Sequence, residues 1–154
     1  MIVNRYDNLG GARKCRFSEW TCKRLVLSGK VRIIGSLLSV STSVCDHETR
    51  LFNQKANELG GDITIQTISM DLPYTLKNWC AAAGIDKVIM LSDHLNADFG
   101  QKYGVFIKET RIFRRAIFVI DRKDTVVYSA YMPVFGEEPK YDEVLEAAKQ
   151  ALKS

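Results

Sequence analysis

Histidine is nearly missing from this chain: His47 and His94 are the only two in 154 residues. A cysteine protease needs a well-placed base, and no histidine base is evident beside the cysteine of most interest, Cys45. His47 is close in sequence, but residues two apart on a helix diverge in direction. The same scarcity argues against zinc. Cys15 and Cys22 have six residues between them, where zinc pairs usually have two to four and need further ligands nearby. C-x-x-C is absent, which argues against a thioredoxin-type reductase. No apolar stretch approaches the roughly 20 residues of a membrane span. Met1 to Gly10 lacks the apolar core of a secretory signal, so the chain is expected to be cytoplasmic. There is no internal repeat and no low-complexity segment.

What is present supports a folded domain. The chain is 46% hydrophobic, enough for a real core. Its net charge of +4 is unevenly spread. Residues 1–35 carry eight basic side chains against Asp7 and Glu19, a local charge of +6 that leaves −2 for the rest. Residues 1–30 are therefore read as a basic N-terminal segment of uncertain structure, and residues 31–154 as the domain. A basic arm can bind nucleic acid, but no recognised nucleic-acid motif accompanies it, so a solvated tail is the expectation.

Val31 to Leu38 is a short apolar run rich in β-branched residues and reads as a buried strand. A Ser/Thr loop follows, and then a helix that begins near Cys45. Phe52, Ala56 and Leu59 repeat at helical spacing, with Cys45 on the same stripe, and Gly60-Gly61 ends it. Ile63 to Ile68 alternates as a strand. Asp71 is the expected N-cap of a helix with Pro73 in its first turn, running to about Ala83 and stopped by Gly84. Val88 to Leu91 reads as a strand and Asn96 to Tyr103 as a helix. Ala116–Ile120 and Thr125–Tyr131 read as a hairpin about Asp121–Asp124. Tyr141–Lys153 closes the chain as a helix, apolar at Val144, Leu145, Ala148 and Leu152. Parallel units followed by a hairpin and a last helix predict a central mixed β-sheet flanked by helices on both faces, with a thioredoxin-like fold as the simplest architecture.

In that order of elements Cys45 lies where the first strand hands over to its helix, near the carboxyl end of the strand, where open α/β sheets bind ligands. The first turn of a helix offers unpaired N–H groups and the positive end of the dipole, both of which favour a thiolate. Thr42, three residues earlier, can reach the sulfur or a substrate oxygen. A thiolate cradled by N–H groups, a hydroxyl and an arginine suits attack on a peroxide O–O bond, leaving a sulfenic acid that condenses with a second thiol. Cys80, at the far end of the next helix, is the candidate second thiol.

The carrying segments are Thr42-Ser43-Val44-Cys45-Asp46, Thr49-Arg50-Leu51-Phe52-Asn53, Ser69-Met70-Asp71-Leu72-Pro73 with Trp79-Cys80, Ser92-Asp93-His94, Phe99-Gly100…Tyr103-Gly104-Val105 and Arg115 to Asp121. In order and spacing they resemble the thiol peroxidases, atypical two-cysteine peroxiredoxins, from about Gly29 onward. The resemblance implies Cys45 as the peroxidatic cysteine and Cys80 as the resolving cysteine of an intrachain disulfide. It implies Thr42 as the residue that orients the peroxide, and Arg115 as the arginine that holds the thiolate. Arg114, its neighbour, should face the opposite side of a strand. The implied substrates are hydrogen peroxide and alkyl hydroperoxides, the implied reductant is thioredoxin, and the implied assembly is a homodimer. No cofactor or metal is implied.

The chain departs from the family pattern at Leu38, where the family has proline, and at Ser41 and Ser43, where it usually has Asp and Pro. The family's N-terminal hairpin is not recognisable in residues 1–30. A redox sensor or partner-binding protein with slow turnover is the alternative that these departures suggest.

Overall fold

The computed structural model describes residues 29–153. Cys15, Cys22 and all of the basic segment except Gly29 and Lys30 lie outside the described residues. Five strands form one sheet: β1 (Val31–Ser36), β2 (Ile63–Ser69), β3 (Val88–Ser92), β6 (Ala116–Ile120) and β7 (Val126–Tyr131). Its order is β3-β2-β1-β6-β7. β1, β2 and β3 run parallel, whereas β6 is antiparallel to both β1 and β7. The sheet is thus mixed and central, with the parallel units and the terminal hairpin expected from the pattern.

α1 (Ser43–Lys55) and α4 (Tyr141–Lys153) are amphipathic. On α1 the buried residues are Cys45, Glu48, Thr49 and Phe52, the i, i+3, i+4, i+7 stripe of one helical face. They pack with Leu76 of α2 (Pro73–Ala83) and with Val144 and Ala148 of α4 against Val31, Ile33, Ile65, Ile117 and Val119 of the sheet. The alternate strand residues Ile34, Ile68, Phe118 and Ile120 point to the other face. There they meet Phe99 of α3 (Asp98–Lys102), Tyr103, Val105 and Phe113. Fully burying each such side chain contributes about 1.5–3 kcal/mol.

Three local expectations are corrected. Leu72, not Asp71, is the N-cap of α2, and its backbone carbonyl accepts from Leu76 N. The Asp71 carboxylate instead accepts from Ser39 Oγ at 2.7 Å, Val40 N at 2.9 Å and Ser69 Oγ at 2.7 Å, so it ties down the loop before α1. α3 is shorter than the expected Asn96–Tyr103. Ala97 takes a left-handed φ of 52°, and the Asp93 carboxylate accepts from Asp98 N and Gly100 N, which starts the helix later. The α1 helix gives way at Ala56–Glu58 to a 3₁₀ turn before Gly60, which adopts φ 72°. A small hairpin of β4 (Phe106–Ile107) and β5 (Ile112–Phe113) was not expected from the sequence.

Candidate active site

Cys45 is the third residue of α1 and has no exposed surface. The chain leaves β1 at Ser36, turns through Ser39 to Thr42, and enters the helix with Thr42 at the N-cap in extended conformation. The first-turn N–H groups therefore surround the sulfur's end of the helix. Thr42 donates its hydroxyl proton to Ser39 O at 3.0 Å, and makes no side-chain cap to the helix. With its proton engaged, Oγ1 is left as an acceptor, suited to receive a hydrogen bond from an O–H group.

Arg115 precedes β6 and is 1% exposed, whereas Arg114 is exposed. Antiparallel pairing of β6 to β1 brings Ala116 opposite Ser36, which delivers Arg115 to the carboxyl end of β1. Its Nη2 donates to Cys45 Sγ at 2.9 Å. Nη1 donates to the carbonyls of Phe135 and Glu137 at 2.7 and 2.8 Å. Nε lies 2.7 Å from Glu48 Oε2, a close contact outside good hydrogen-bonding alignment. The guanidinium is thus fixed on every side, with one edge aimed at the sulfur. A positive charge held there in low dielectric favours negative charge on sulfur or on an oxygen approaching it.

Glu48 is the participant that sequence reading missed. It sits one turn after Cys45 and is 1% exposed. Burial pushes its carboxyl up to about 8, against the pull of the Arg115 guanidinium. At neutral pH the carboxyl is therefore largely protonated, and Arg115 keeps its charge for the sulfur. The available signal was an acidic residue on the apolar stripe of α1, three positions from the cysteine. The segment that supplies the two carbonyls to Arg115 is itself anchored. Glu138 accepts from Tyr141 Oη at 2.8 Å and lies 3.1 Å from His47 Nδ1. Burial, reinforced by Glu138, raises the Tyr141 hydroxyl well above its ordinary value.

Cys80 lies in the last turn of α2, half-buried against the same core cluster as Cys45. Both residues are thiols, not partners in a disulfide. Leu38, at the family's proline position, is half-buried against this cluster as well. Among the described residues, no group of three or more His, Cys, Asp or Glu could hold a metal ion. No described helix is long and apolar enough to cross a membrane.

A buried thiol at a helix start, contacted by a fixed guanidinium, is a site for nucleophilic redox chemistry. Residues 21–145 match the family model described as Redoxin. The chain is 51% identical over 117 residues to a thiol peroxidase of Oceanobacillus iheyensis, spanning 76% of this chain and 71% of that protein. It is 46% identical over 127 residues to a thiol peroxidase of Bacillus subtilis, spanning 82% and 75%. Among solved structures, a peroxiredoxin-like protein from Aquifex aeolicus superposes with a TM-score of 0.73 at 34% identity, over 80% of this chain and 73% of that one.

Proposed function

This chain belongs to the Redoxin family and, within it, to the thiol peroxidases, and we propose that it reduces hydrogen peroxide and alkyl hydroperoxides at Cys45. The observation that carries the assignment of the site is the 2.9 Å contact from Arg115 Nη2 to Cys45 Sγ, both side chains being buried. The sulfur attacks one peroxide oxygen, the S–O bond forms and the O–O bond breaks. Electrons pass from sulfur to the leaving oxygen, which takes up a proton and departs as alcohol or water. Arg115 holds the charge on the sulfur and then on the oxygen, and Thr42 Oγ1 orients the peroxide by accepting a hydrogen bond from it.

Cys45 is then a sulfenic acid, and Cys80 closes an intrachain disulfide with loss of water. A thioredoxin-type dithiol returns both residues to thiols. The reading includes a homodimer residing in the cytoplasm, with residues 31–154 as the peroxidase domain. Leu38 favours a second reading, a redox sensor with slow turnover. The Asp71 carboxylate accepts from Ser39 Oγ and Val40 N of the same loop, a restraint that supports the enzyme instead.

The test is hydroperoxide consumption coupled to thioredoxin and its reductase. Wild type is expected to turn over many times and Cys45→Ser to lose all activity; retained consumption in Cys45→Ser sinks the reading. Mass spectrometry after one equivalent of hydrogen peroxide is expected to find a Cys45–Cys80 disulfide. A lasting sulfenic or sulfinic acid at Cys45 would remove Cys80 from the mechanism.

A further inference from the structure

The residues beside the two cysteines are joined to each other. Asp46 follows Cys45, and Trp79 precedes Cys80. Arg50, one turn along α1, donates from Nε to Asp46 Oδ2 at 2.8 Å. Its guanidinium carbon lies 5.8 Å from the centre of the Trp79 ring, within cation–π range. Arg50 Nη1 then donates to Ala83 O at 3.2 Å. Ala83 is the final residue of α2, so the cation covers an otherwise orphan carbonyl at the negative end of that helix. The hydrogen bond from Arg50 is the main reason that the Asp46 carboxyl titrates below its ordinary range.

Cys80 sits in the turn that Arg50 caps. The Cys80 carbonyl accepts from the N–H groups of Gly84 and Ile85, the latter at 3.1 Å. The backbones of α1 and α2 barely approach one another, and long side chains span the space between them. Asn53, a turn further along α1, accepts from Lys87 N at 2.8 Å and so holds the chain just beyond α2. A disulfide needs α-carbons within about 7 Å and sulfur atoms in bonding contact. The two thiols are not bonded, and Cys45 Sγ is buried against Arg115, so closing the disulfide shifts the two segments that Arg50 joins.

We propose that Arg50, clamped by Asp46 and seated on Trp79, is a positioning residue that latches the Cys80 turn to the Cys45 helix and sets the rate of the disulfide step. The inference rests on the peroxidase reading. In the step it controls, the Cys80 sulfur attacks the Cys45 sulfenic sulfur, the S–S bond forms and the S–O bond breaks. The departing hydroxide takes the thiol proton and leaves as water; the Cys80 sulfur is oxidised and the Cys45 sulfur reduced. The competing step is attack of a second hydrogen peroxide on the sulfenic acid, giving sulfinic acid and water. A tight latch prolongs the sulfenic acid and makes the protein more easily over-oxidised.

Rapid-quench mass spectrometry with hydrogen peroxide separates the steps. Arg50→Ala is expected to leave sulfenic acid formation at Cys45 unchanged and to speed disulfide formation about fivefold, the size of a lost helix-terminal cation. The peroxide concentration that half-converts Cys45 to sulfinic acid should rise by the same factor. Trp79→Phe keeps an apolar ring but holds a cation less strongly than an indole does, so it should shift both readouts the same way by less. Because it preserves core packing, it decides the matter if Arg50→Ala fails to fold. Disulfide rates that are unchanged or slower in these variants, with normal sulfenic acid formation, overturn the latch alone. A wild-type chain that forms no sulfenic acid at Cys45 overturns the peroxidase reading and the latch with it.

Discussion

Arg115 Nη2 touches Cys45 Sγ at 2.9 Å although 70 residues separate them in the chain. Arg115 Nη1 is held by Phe135 O and Glu137 O and Nε lies against the Glu48 carboxyl, so its orientation is over-determined. Arg115→Met keeps much of the volume and removes the charge. It is expected to slow the reaction of Cys45 with hydrogen peroxide about 100-fold, the scale of losing one fixed electrostatic donor. Arg115→Lys should recover little, since a single ammonium cannot replace the planar fork. Stopped-flow measurement of the second-order rate checks both, and a loss below threefold in Arg115→Met would mean that the contact is structural.

Glu48 makes stability depend on pH. Its carboxyl moves from an ordinary 4.5 to about 8 on folding because burial outweighs Arg115. The folded protein thus keeps a proton that the unfolded chain has lost across that window. The stability from this group is complete below 4.5 and is lost as pH rises through about 8. Burial also raises Asp93, from 3.8 to about 6, with the same sign in a lower window. Above pH 6, Glu48 is therefore the informative one of the two. Melting temperature is expected to fall from pH 6 to 8 in wild type and to change less in Glu48→Gln. Parallel curves for the two proteins would refute the assignment.

The same titration reaches the chemistry. Below about 8 the Arg115 charge faces the sulfur undivided; above it, the ionised Glu48 carboxylate shares that charge. The peroxide rate of wild type should decline above pH 8 relative to that of Glu48→Gln. A pH–rate profile from 6 to 9.5 on both proteins checks it, and identical profiles would dismiss the coupling.

Asp71 restrains the loop that leads into Cys45. Asp71→Ala removes acceptors for Ser39 Oγ, Val40 N and Ser69 Oγ and is expected to cost about 2 kcal/mol. Leu38 lacks the ring that fixes φ in proline, so the loop depends on this external tie. The KM for hydroperoxide should rise more than kcat falls, because Thr42 loses its placement while Arg115 keeps its own contacts. Denaturant titration and steady-state kinetics read the two effects.

Gly100 has no room for a side chain. A Cβ there would lie 2.3 Å from Phe113 Cε1 and 2.9 Å from Phe113 Cζ. Phe113 is fully buried and packed against Phe99, so its ring cannot swing aside. Gly100→Ala is expected to cost about 3 kcal/mol. The urea midpoint should fall with an unchanged slope, and a midpoint within error of wild type would refute the clash.

Most of the architecture was legible because its signals are local. β1 and β6 are rich in β-branched residues and buried on both faces, as the central strands of a covered sheet must be. Pro73 at the start of α2 and Gly84 in left-handed conformation at its end fall where the sequence placed them. The β4–β5 hairpin escaped notice because two residues per strand carry no periodicity. Asp71 looked like an N-cap because its type and position suit one, but Ser39 and Val40 from another loop outcompeted the helix for its oxygens.

The site divides along the same line. Residue types and spacing pointed to Cys45, Cys80 and Thr42 as candidates, since a thiol at a strand-to-helix junction and a second thiol on the next helix are visible in one dimension; Arg115 came only from the resemblance to the thiol peroxidases. Glu48 and Arg50 were not, because a charged residue on a helix reads as a solvated one until its partners are known. Glu48 faces Arg115 and stays largely protonated, and Arg50 caps a carbonyl of a different helix. By itself, the sequence determined the order of elements and the thiol chemistry, which depend on backbone propensity and side-chain type. Only the tertiary structure decided which charges meet the sulfur, which carboxyl keeps its proton and what holds the Cys80 turn. Coulomb and desolvation energies depend on distance in space, and that distance is set by how the sheet brings remote segments together.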